Sequence, residues 1–296
     1  MQKTETKISV VVVTFNRLHL LQKNIDLLLH QTRRVDRIYI INNASTDGTA
    51  DFLRQIASNP LFVIQDLDTN IGGAGGFSLG IKQAVRDGAD WVWVMDDDTM
   101  PTDDSLEKLL VTTDEQTGFV CSKVLWTDNT MHIMNIPDFV HDSDTQSPVR
   151  NVRSASFVSL LLNAVAVRKV GLPYKEFFIW GDDAEYTQRI VRAGYAGFWL
   201  NDSVVLHETA SNYGPDISSA PYATAWKFYY NMRNTMFMDR RKYGSGLKFY
   251  FKEINHLRLA LHNISKRKTT ERKNFRKAVV RGFCDGLTFR PEIDYV

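Results

Sequence analysis

Apolar residues along the first hundred positions fall into alternating short and long patterns. The run at 8–14 is continuous and β-branched, which marks a strand buried on both faces. Residues 18–30 have helical spacing, with Leu20, Leu21, Ile25, Leu28 and Leu29 on one broad face. Strand-length runs recur at 37–41, 61–65 and 91–95, and helices are expected over 50–57 and 77–86. The connecting segment 42–49 is too polar for a core, and the segment 70–76 is a glycine-rich loop that opens the helix beginning at Phe77. Alternation of this kind implies an α/β fold with a mostly parallel, doubly wound sheet.

Beyond residue 98 the pattern is less regular. A helix is expected at 103–113, a strand at 119–124, and a loop-rich stretch over 127–149. The apolar run 158–167 is expected in the sheet, followed by a helix at 182–193 and a strand at 196–206. From residue 223 onward the spacing is helical, with candidates at 222–243, 247–264 and 271–283. The chain therefore divides into an α/β domain, 1–221, with halves at about 1–98 and 99–221, and a helical region, 222–296.

Charge sharpens that division. Residues 240–296 hold 15 Lys/Arg against 5 Asp/Glu, whereas 1–239 hold 21 against 29. A basic region behind an acidic one points to a membrane surface or a polyanion as partner. No nucleic-acid-binding motif accompanies the basic helices, so nucleic acid is not expected. Residues 1–7 are polar and the first apolar run has only strand length, so no signal peptide is expected, and no stretch reaches the length of a membrane span. Cys121 and Cys284 are too few for a disulfide framework or a zinc site, consistent with a reducing cytoplasm.

The richest chemistry lies at strand ends. Asp96, Asp97 and Asp98 follow the run 91–95 directly. Strands of an open α/β sheet end at a ligand crevice. Three carboxylates there repel one another without a cation, and hard oxygen ligands suggest Mg²⁺ or Mn²⁺ bridging to a diphosphate. A solvated turn capping the next helix is the plainer alternative, although Asp103 and Asp104 are better placed to cap. The loops after all four strands gather at the same sheet edge. Thr14, Asn16, Asn43 and Asp47 suit the base and ribose of a nucleotide, and 70–76 offers backbone that a ligand can approach closely. Each loop also has a structural reading, as a turn and N-cap or as tight packing. The glycine loop is not a dinucleotide fingerprint, because it follows the third strand with different spacing.

A second acidic cluster, Trp180-Gly181-Asp182-Asp183-Ala184-Glu185-Tyr186, starts a helix. Capping accounts for one or two of its acids, and a carboxylate held rigidly there would serve as a general base. Glu185 and Arg189 form an i, i+4 pair, read as structural. His207 follows the apolar strand residues 204–206, as a metal ligand or as a structural histidine. Asp96, Asp98 and His207 are expected to converge on one divalent cation.

Taken together, Val11-Val12-Val13-Thr14-Phe15-Asn16-Arg17, Asn43-x-Ser45-x-Asp47-Gly48-Thr49, the aspartate triplet, Trp180-Gly181-Asp182-Asp183-x-Glu185-Tyr186-x-x-Arg189 and His207-Glu208 resemble family 2 inverting glycosyltransferases of the GT-A fold. The run from Asn70 to Phe77 and the Asp-Asp-x-Glu-Tyr run are similar to bacterial galactofuranosyltransferases, and Tyr229-Tyr230-x-x-Arg233-Asn234 is shared with related rhamnosyltransferases. The resemblance spans about 8–234. It implies nucleotide contacts from Thr14, Asn16, Asn43 and Asp68, and Asp47, Asn70, Gly73 and Asp97 are expected among the substrate-binding residues beside them. It further implies metal ligation by Asp96, Asp98 and His207, sugar contacts from Trp180 and Asp182, and Asp183 as base. The implied reaction moves a sugar, galactofuranose from UDP-galactofuranose or else rhamnose from dTDP-rhamnose, onto a glycan or lipid-linked acceptor. The enzyme would be cytoplasmic, with peripheral contact to an anionic membrane. A sugar nucleotidyltransferase would carry a Gly-rich loop ending in Lys after the first strand, where this chain has Thr14-Phe15-Asn16-Arg17. A non-catalytic carbohydrate-binding module would not need Asp183 beside a metal triad.

Overall fold

The computed structural model describes residues 6–141 and 144–296. The chain forms two compact units. The first comprises Met1–Lys175, Asp183–Asn212 and Ile293–Val296; the second comprises Glu176–Asp182 and Tyr213–Glu292.

The first unit begins β1 (Ile8–Thr14), α1 (Leu18–Leu29), β2 (Arg37–Asn42), α2 (Thr49–Ile56), β3 (Phe62–Asp66), α3 (Gly72–Arg86) and β4 (Trp91–Asp96). It continues with β5 (Thr99–Pro101), α4 (Ser105–Leu110), β6 (Thr117–Leu125), β7 (Asp138–Phe139), β8 (Val149–Ser154), β9 (Leu160–Asn163) and α5 (Ala164–Val170). After α6 (Asp182–Arg192), the long β10 (Ala196–His207) completes the sheet. Strand order is β3-β2-β1-β4-β9-β6-β10-β8-β7, with β5 also pairing β10.

Pairings among β1 to β4 are parallel, as the alternation of strands and helices requires. The second half is mixed. β9 runs antiparallel to both β4 and β6, while β6 and β10 are parallel. The antiparallel insertion follows from a short element the apolar pattern concealed. The run expected wholly in the sheet is strand only to Asn163, whose Oδ1 accepts the Val165 N–H at 2.8 Å and so caps α5.

Side chains of β1 alternate between two apolar layers. Val11 and Val13 join Phe77, Ile81 and Val85 of α3, Ala166 and Val167 of α5, and Tyr186 and Ile190 of α6. Val10 and Val12 join Leu21, Ile25 and Leu28 of α1, Leu53 of α2, and Leu106 and Leu109 of α4. A strand covered on both faces must be apolar at every position, which explains the unbroken run at 8–14.

The glycine segment differs from expectation. Helix α3 starts at Gly72, so Gly72–Gly76 are its first turns rather than a loop before it. A Cβ on Gly76 would lie 2.7 Å from Val13 Cγ1, and one on Gly80 would lie 2.4 Å from Val11 Cγ1. Missing side chains thus let this helix lie close on β1. Gly73 is different, because a Cβ there would meet nothing within 4 Å.

The second unit holds α7 (Lys227–Tyr243), α8 (Leu247–Ser265) and α9 (Arg272–Thr288). They pack around Phe228, Met232, Met236, Phe249, Ile264, Phe275 and Val279. It begins at Tyr213, ahead of residue 222, and also takes in 176–182. Among the described residues no helix is long and apolar enough to cross a membrane.

Candidate active site

The strand order reverses direction between β1 and β4, which opens a crevice at their carboxyl ends. Thr14 ends β1 and Asp96 ends β4. Asp97 ties the two ends together. Its Oδ2 accepts the Thr14 hydroxyl at 2.7 Å and the Phe15 N–H at 3.3 Å, and its Oδ1 accepts Arg17 Nη1 at 3.2 Å. Burial, with added repulsion from Asp98 and Asp96, pushes the Asp97 carboxyl up to about 7 despite the opposing charge of Arg17.

Asp98 is buried between two basic groups. Arg17 Nη1 donates to its Oδ2, and its Oδ1 lies 3.1 Å from His207 Nε2. Burial would raise the Asp98 carboxyl, but the hydrogen bond and charge of His207 outweigh it and hold the group below the ordinary carboxylate range. Burial would likewise lower His207, and its bond to Asp98 holds it above the ordinary histidine value. The other imidazole nitrogen, Nδ1, lies 2.9 Å from Asn135 Oδ1, and Asn135 Nδ2 donates to Ser156 Oγ at 2.9 Å. An amide oxygen can only accept, so Nδ1 carries the proton and Nε2 faces the acids. His132 packs against His207 with ring centroids 4.5 Å apart and planes tilted by 37°.

Ligand atoms of Asp96, Asp98 and His207 all lie within 4.8 Å of one another. Two carboxylates and an imidazole fit Mn²⁺ or Mg²⁺. The acid cluster already draws a cation, since the guanidinium of Arg17 bridges Asp97 and Asp98.

Asp183 stands at the second residue of α6, where its Oδ1 accepts the Ala184 N–H at 2.7 Å. A lowered carboxyl is expected at such a helix start, and the opposite is found. Burial first, and the charge of Asp96 after it, raise Asp183 to about 6 against the backbone donors. At neutral pH the group is still mostly ionised. Glu185 pairs with Arg189 at 2.9 Å in the interior, and Arg189 also donates to the carbonyls of Val170 and Leu172, so this pair is structural as read from sequence.

The nucleotide-type residues occupy the expected loops. Asn43 is buried; it donates to Gly72 O at 2.9 Å and accepts the Ile71 N–H at 2.8 Å, which moors the start of α3 to β2. Asn16, at φ 54°, accepts the Thr46 N–H at 2.6 Å. The Asp47 oxygens take the Leu18 N–H and the Thr49 N–H and hydroxyl, so they hold the starts of α1 and α2. Asn70 Oδ1 accepts the Gly72 N–H at 2.8 Å, and Asp68 is exposed on the same loop.

Within the second unit, Phe178 and Trp180 both have φ 64° and Gly181 has φ 88°. Left-handed backbone at two aromatic residues is strained. Asn234 holds it in place, with Nδ2 reaching the carbonyls of Phe177 at 3.0 Å, Ile179 at 3.2 Å and Trp180 at 2.8 Å. The Trp180 ring stands edge-on to Phe228, centroids 5.2 Å apart. Asp182, which follows this turn, is buried.

Sequence reasoning assigned no role to Arg17 or Asn135. Arg17 carried a usable signal, a lone cation directly after the Thr14–Asn16 loop. Asn135 carried none, because it sits in a short 3₁₀ turn (Ile133–Asn135) inside the irregular stretch.

A parallel first half, an acidic strand end with a histidine, and a mixed second half define a GT-A-type transferase fold. Solved structures agree. GalNAc-T7, in a crystal structure with UDP, GalNAc and Mn²⁺, superposes with a TM-score of 0.64 at 14% identity, over 97% of this chain and 56% of that one. Staphylococcus aureus TarS superposes with a TM-score of 0.57 at 14% identity, over 94% of this chain and 54% of that one. This chain thus spans little more than half of either protein, and the likeness is one of fold. The Glycosyl transferase family 2 profile matches residues 9–152. Galactofuranosyltransferase GlfT1 of Mycobacterium tuberculosis (strain CDC 1551 / Oshkosh) is 30% identical over 226 residues, which is 68% of this chain and 70% of that protein. The chain belongs to glycosyl transferase family 2.

Proposed function

We propose that this protein transfers galactofuranose from UDP-galactofuranose to a hydroxyl of a glycan or lipid-linked acceptor, with inversion and with a divalent metal. The observation that carries the reading is the pairing of the Asp96, Asp98 and His207 cluster with Asp183, a carboxylate close enough to feel the charge of Asp96. The similarity to GlfT1 supports the choice of donor sugar. Residues 1–221 form the catalytic domain in this reading, with a donor half at 1–98 and an acceptor half at 99–221, and 222–296 form its helical basic region. The enzyme works in the cytoplasm at the inner face of the membrane, where lipid-linked acceptors lie.

Asp183 takes the proton of the acceptor hydroxyl as that oxygen attacks the anomeric carbon from the side opposite the diphosphate. One displacement through an oxocarbenium-like transition state gives inversion, and no second nucleophile is needed. Asp96, Asp98 and His207 would hold Mn²⁺ or Mg²⁺, which when bound would supply Lewis-acid compensation for charge growing on the leaving diphosphate. Thr14, Asn16, Asn43, Asp47, Asp68, Asn70, Gly73 and Asp97 form the donor side, several of them by holding the loops in shape. Trp180 and Asp182 contact sugar.

A donor panel tests this. Purified protein with Mn²⁺ and a hydroxyl acceptor should release UDP from UDP-galactofuranose and give a product of inverted anomeric configuration by NMR, and chelator should stop turnover. Faster turnover of dTDP-rhamnose would replace the donor. Full activity in chelator would remove the metal from the mechanism.

A further inference from the structure

Helix α8 presents two apolar faces, and only one is used within the fold. Phe249, Ala260 and Ile264 point into the core of the second unit. On the other side Leu247, Tyr250, Phe251 and Ile254 stand at i, i+3, i+4 and i+7, forming a single stripe. They are 78%, 46%, 72% and 57% exposed. Four large side chains in one row, each about half or more in water, differ from the scattered apolar residues of an ordinary surface.

Positive charge borders the stripe. Lys242, Lys248 and Lys252 place their ammonium groups 5.2, 5.7 and 4.6 Å from the ring of Tyr243, the exposed last residue of α7, just ahead of α8. Arg258 lies one turn beyond Ile254 and is exposed. The second unit as a whole holds 17 Lys/Arg against 8 Asp/Glu, whereas the first holds 19 against 26. Excess positive charge is therefore concentrated on the unit that carries the stripe.

We propose that α8 is a membrane-docking helix that lies in the surface of an anionic bilayer, with Leu247, Tyr250, Phe251 and Ile254 among the acyl chains and Lys242, Lys248 and Arg258 at the headgroups. Aromatic and aliphatic side chains on one line with lysines beside them match an interfacial helix, and long lysine stems reach from the apolar zone to the phosphates. Charge complementarity selects anionic lipid over a neutral surface. The helix lies on the membrane and does not cross it. This docking rests on the structure of the second unit alone, so it stands or falls separately from the identity of the sugar.

The test is sedimentation of the whole protein with vesicles of phosphatidylcholine, alone or mixed with phosphatidylglycerol. Binding should be at least about tenfold tighter to the mixed vesicles, at roughly fivefold for each basic group near the surface, and should weaken as salt is added. Phe251→Ser and Leu247→Ser remove side chains that are mostly in water and should leave the circular dichroism spectrum unchanged, yet each should weaken vesicle binding by roughly tenfold. Lys248→Glu should weaken binding to mixed vesicles only. Equal binding to both vesicle types, or wild-type binding by the Phe251→Ser, Leu247→Ser double variant, would overturn the proposal. So would a dimer in sedimentation velocity that Phe251→Ser dissolves in a protein with no affinity for vesicles, since a second copy would then cover the stripe. Sugar transfer to a short water-soluble acceptor should persist in every variant, which separates failure of docking from failure of the catalytic reading.

Discussion

Asp183 faces two demands that pull against each other. In its proposed role as base it must be ionised, yet burial and Asp96 raise it to about 6. Turnover should therefore rise with pH along a limb at or below about 6, lower when a cation at Asp96 cancels part of the repulsion, and level off above it. Asp183→Asn should cut turnover by at least roughly 10²-fold with donor and metal affinity retained, by steady-state kinetics and calorimetry. The sign for stability is opposite to that of a salt-bridged acid. Between about 4, where the unfolded chain ionises, and about 6, the folded state holds the extra proton, so this group's contribution to stability falls as pH rises through that window. The Asn variant lacks that fall, so between pH 4.5 and pH 7 its stability in urea melts should change more favourably than that of wild type. In its proposed role as a metal ligand, His207 needs a second residue to set its tautomer. Asn135 fixes its Nδ1 proton, and Asn135→Leu should weaken Mn²⁺ binding roughly 10- to 100-fold, read directly by electron paramagnetic resonance. Because His207 sits above the ordinary histidine value, Mn²⁺ affinity in wild type should still be rising with pH beyond about 6.5.

Helix α3 shows what glycine accomplishes at the scale of an element. Ala in place of Gly gains up to about 1 kcal/mol of helix propensity. At Gly80 that gain is outweighed, because Val11 is packed on both sides and overpacking costs about 1–3 kcal/mol. Gly80→Ala should therefore lower the melting temperature. At Gly73 nothing opposes the gain, so Gly73→Ala should keep or raise stability while the KM for the sugar nucleotide rises. Unchanged KM would place the donor elsewhere. The first four strands, α1 and the three long C-terminal helices were legible in sequence because each has an unbroken apolar run or a clear 3.6-residue period. The start of α3 was not, since glycines read as a loop until the close approach to β1 is known. The end of β9 was hidden for a different reason, as strand and helix are equally apolar there and only Asn163 marks the boundary. In the site, residues at strand ends were visible from position, whereas Arg17 and Asn135 act through contacts that cross 80 and 72 positions of chain.

At the scale of the whole molecule the two units are interleaved in sequence, since the chain passes between them at 175/176, 182/183, 212/213 and 292/293. The last crossing returns 293–296 to the first unit, where Asp294 O accepts the Leu172 N–H at 2.8 Å and its carboxylate takes Lys82 Nζ at 3.0 Å. Removing 293–296 should lower the melting temperature by roughly 2–4 °C, the shift expected for about 1 kcal/mol in a domain of this size. The middle crossings have a different bearing. Asn234 of α7 holds the carbonyls of 177, 179 and 180, and that strained turn leads directly into Asp183. The helices are thus no detachable cassette. A graft that exchanged 213–292 with a relative's helices, and left 176–182 behind, would give the turn a stranger in place of Asn234. Inheritance has to treat the turn and its clasp as one piece, and recombination breakpoints that part them should yield chains in which the backbone of 177–181 no longer holds its left-handed turns.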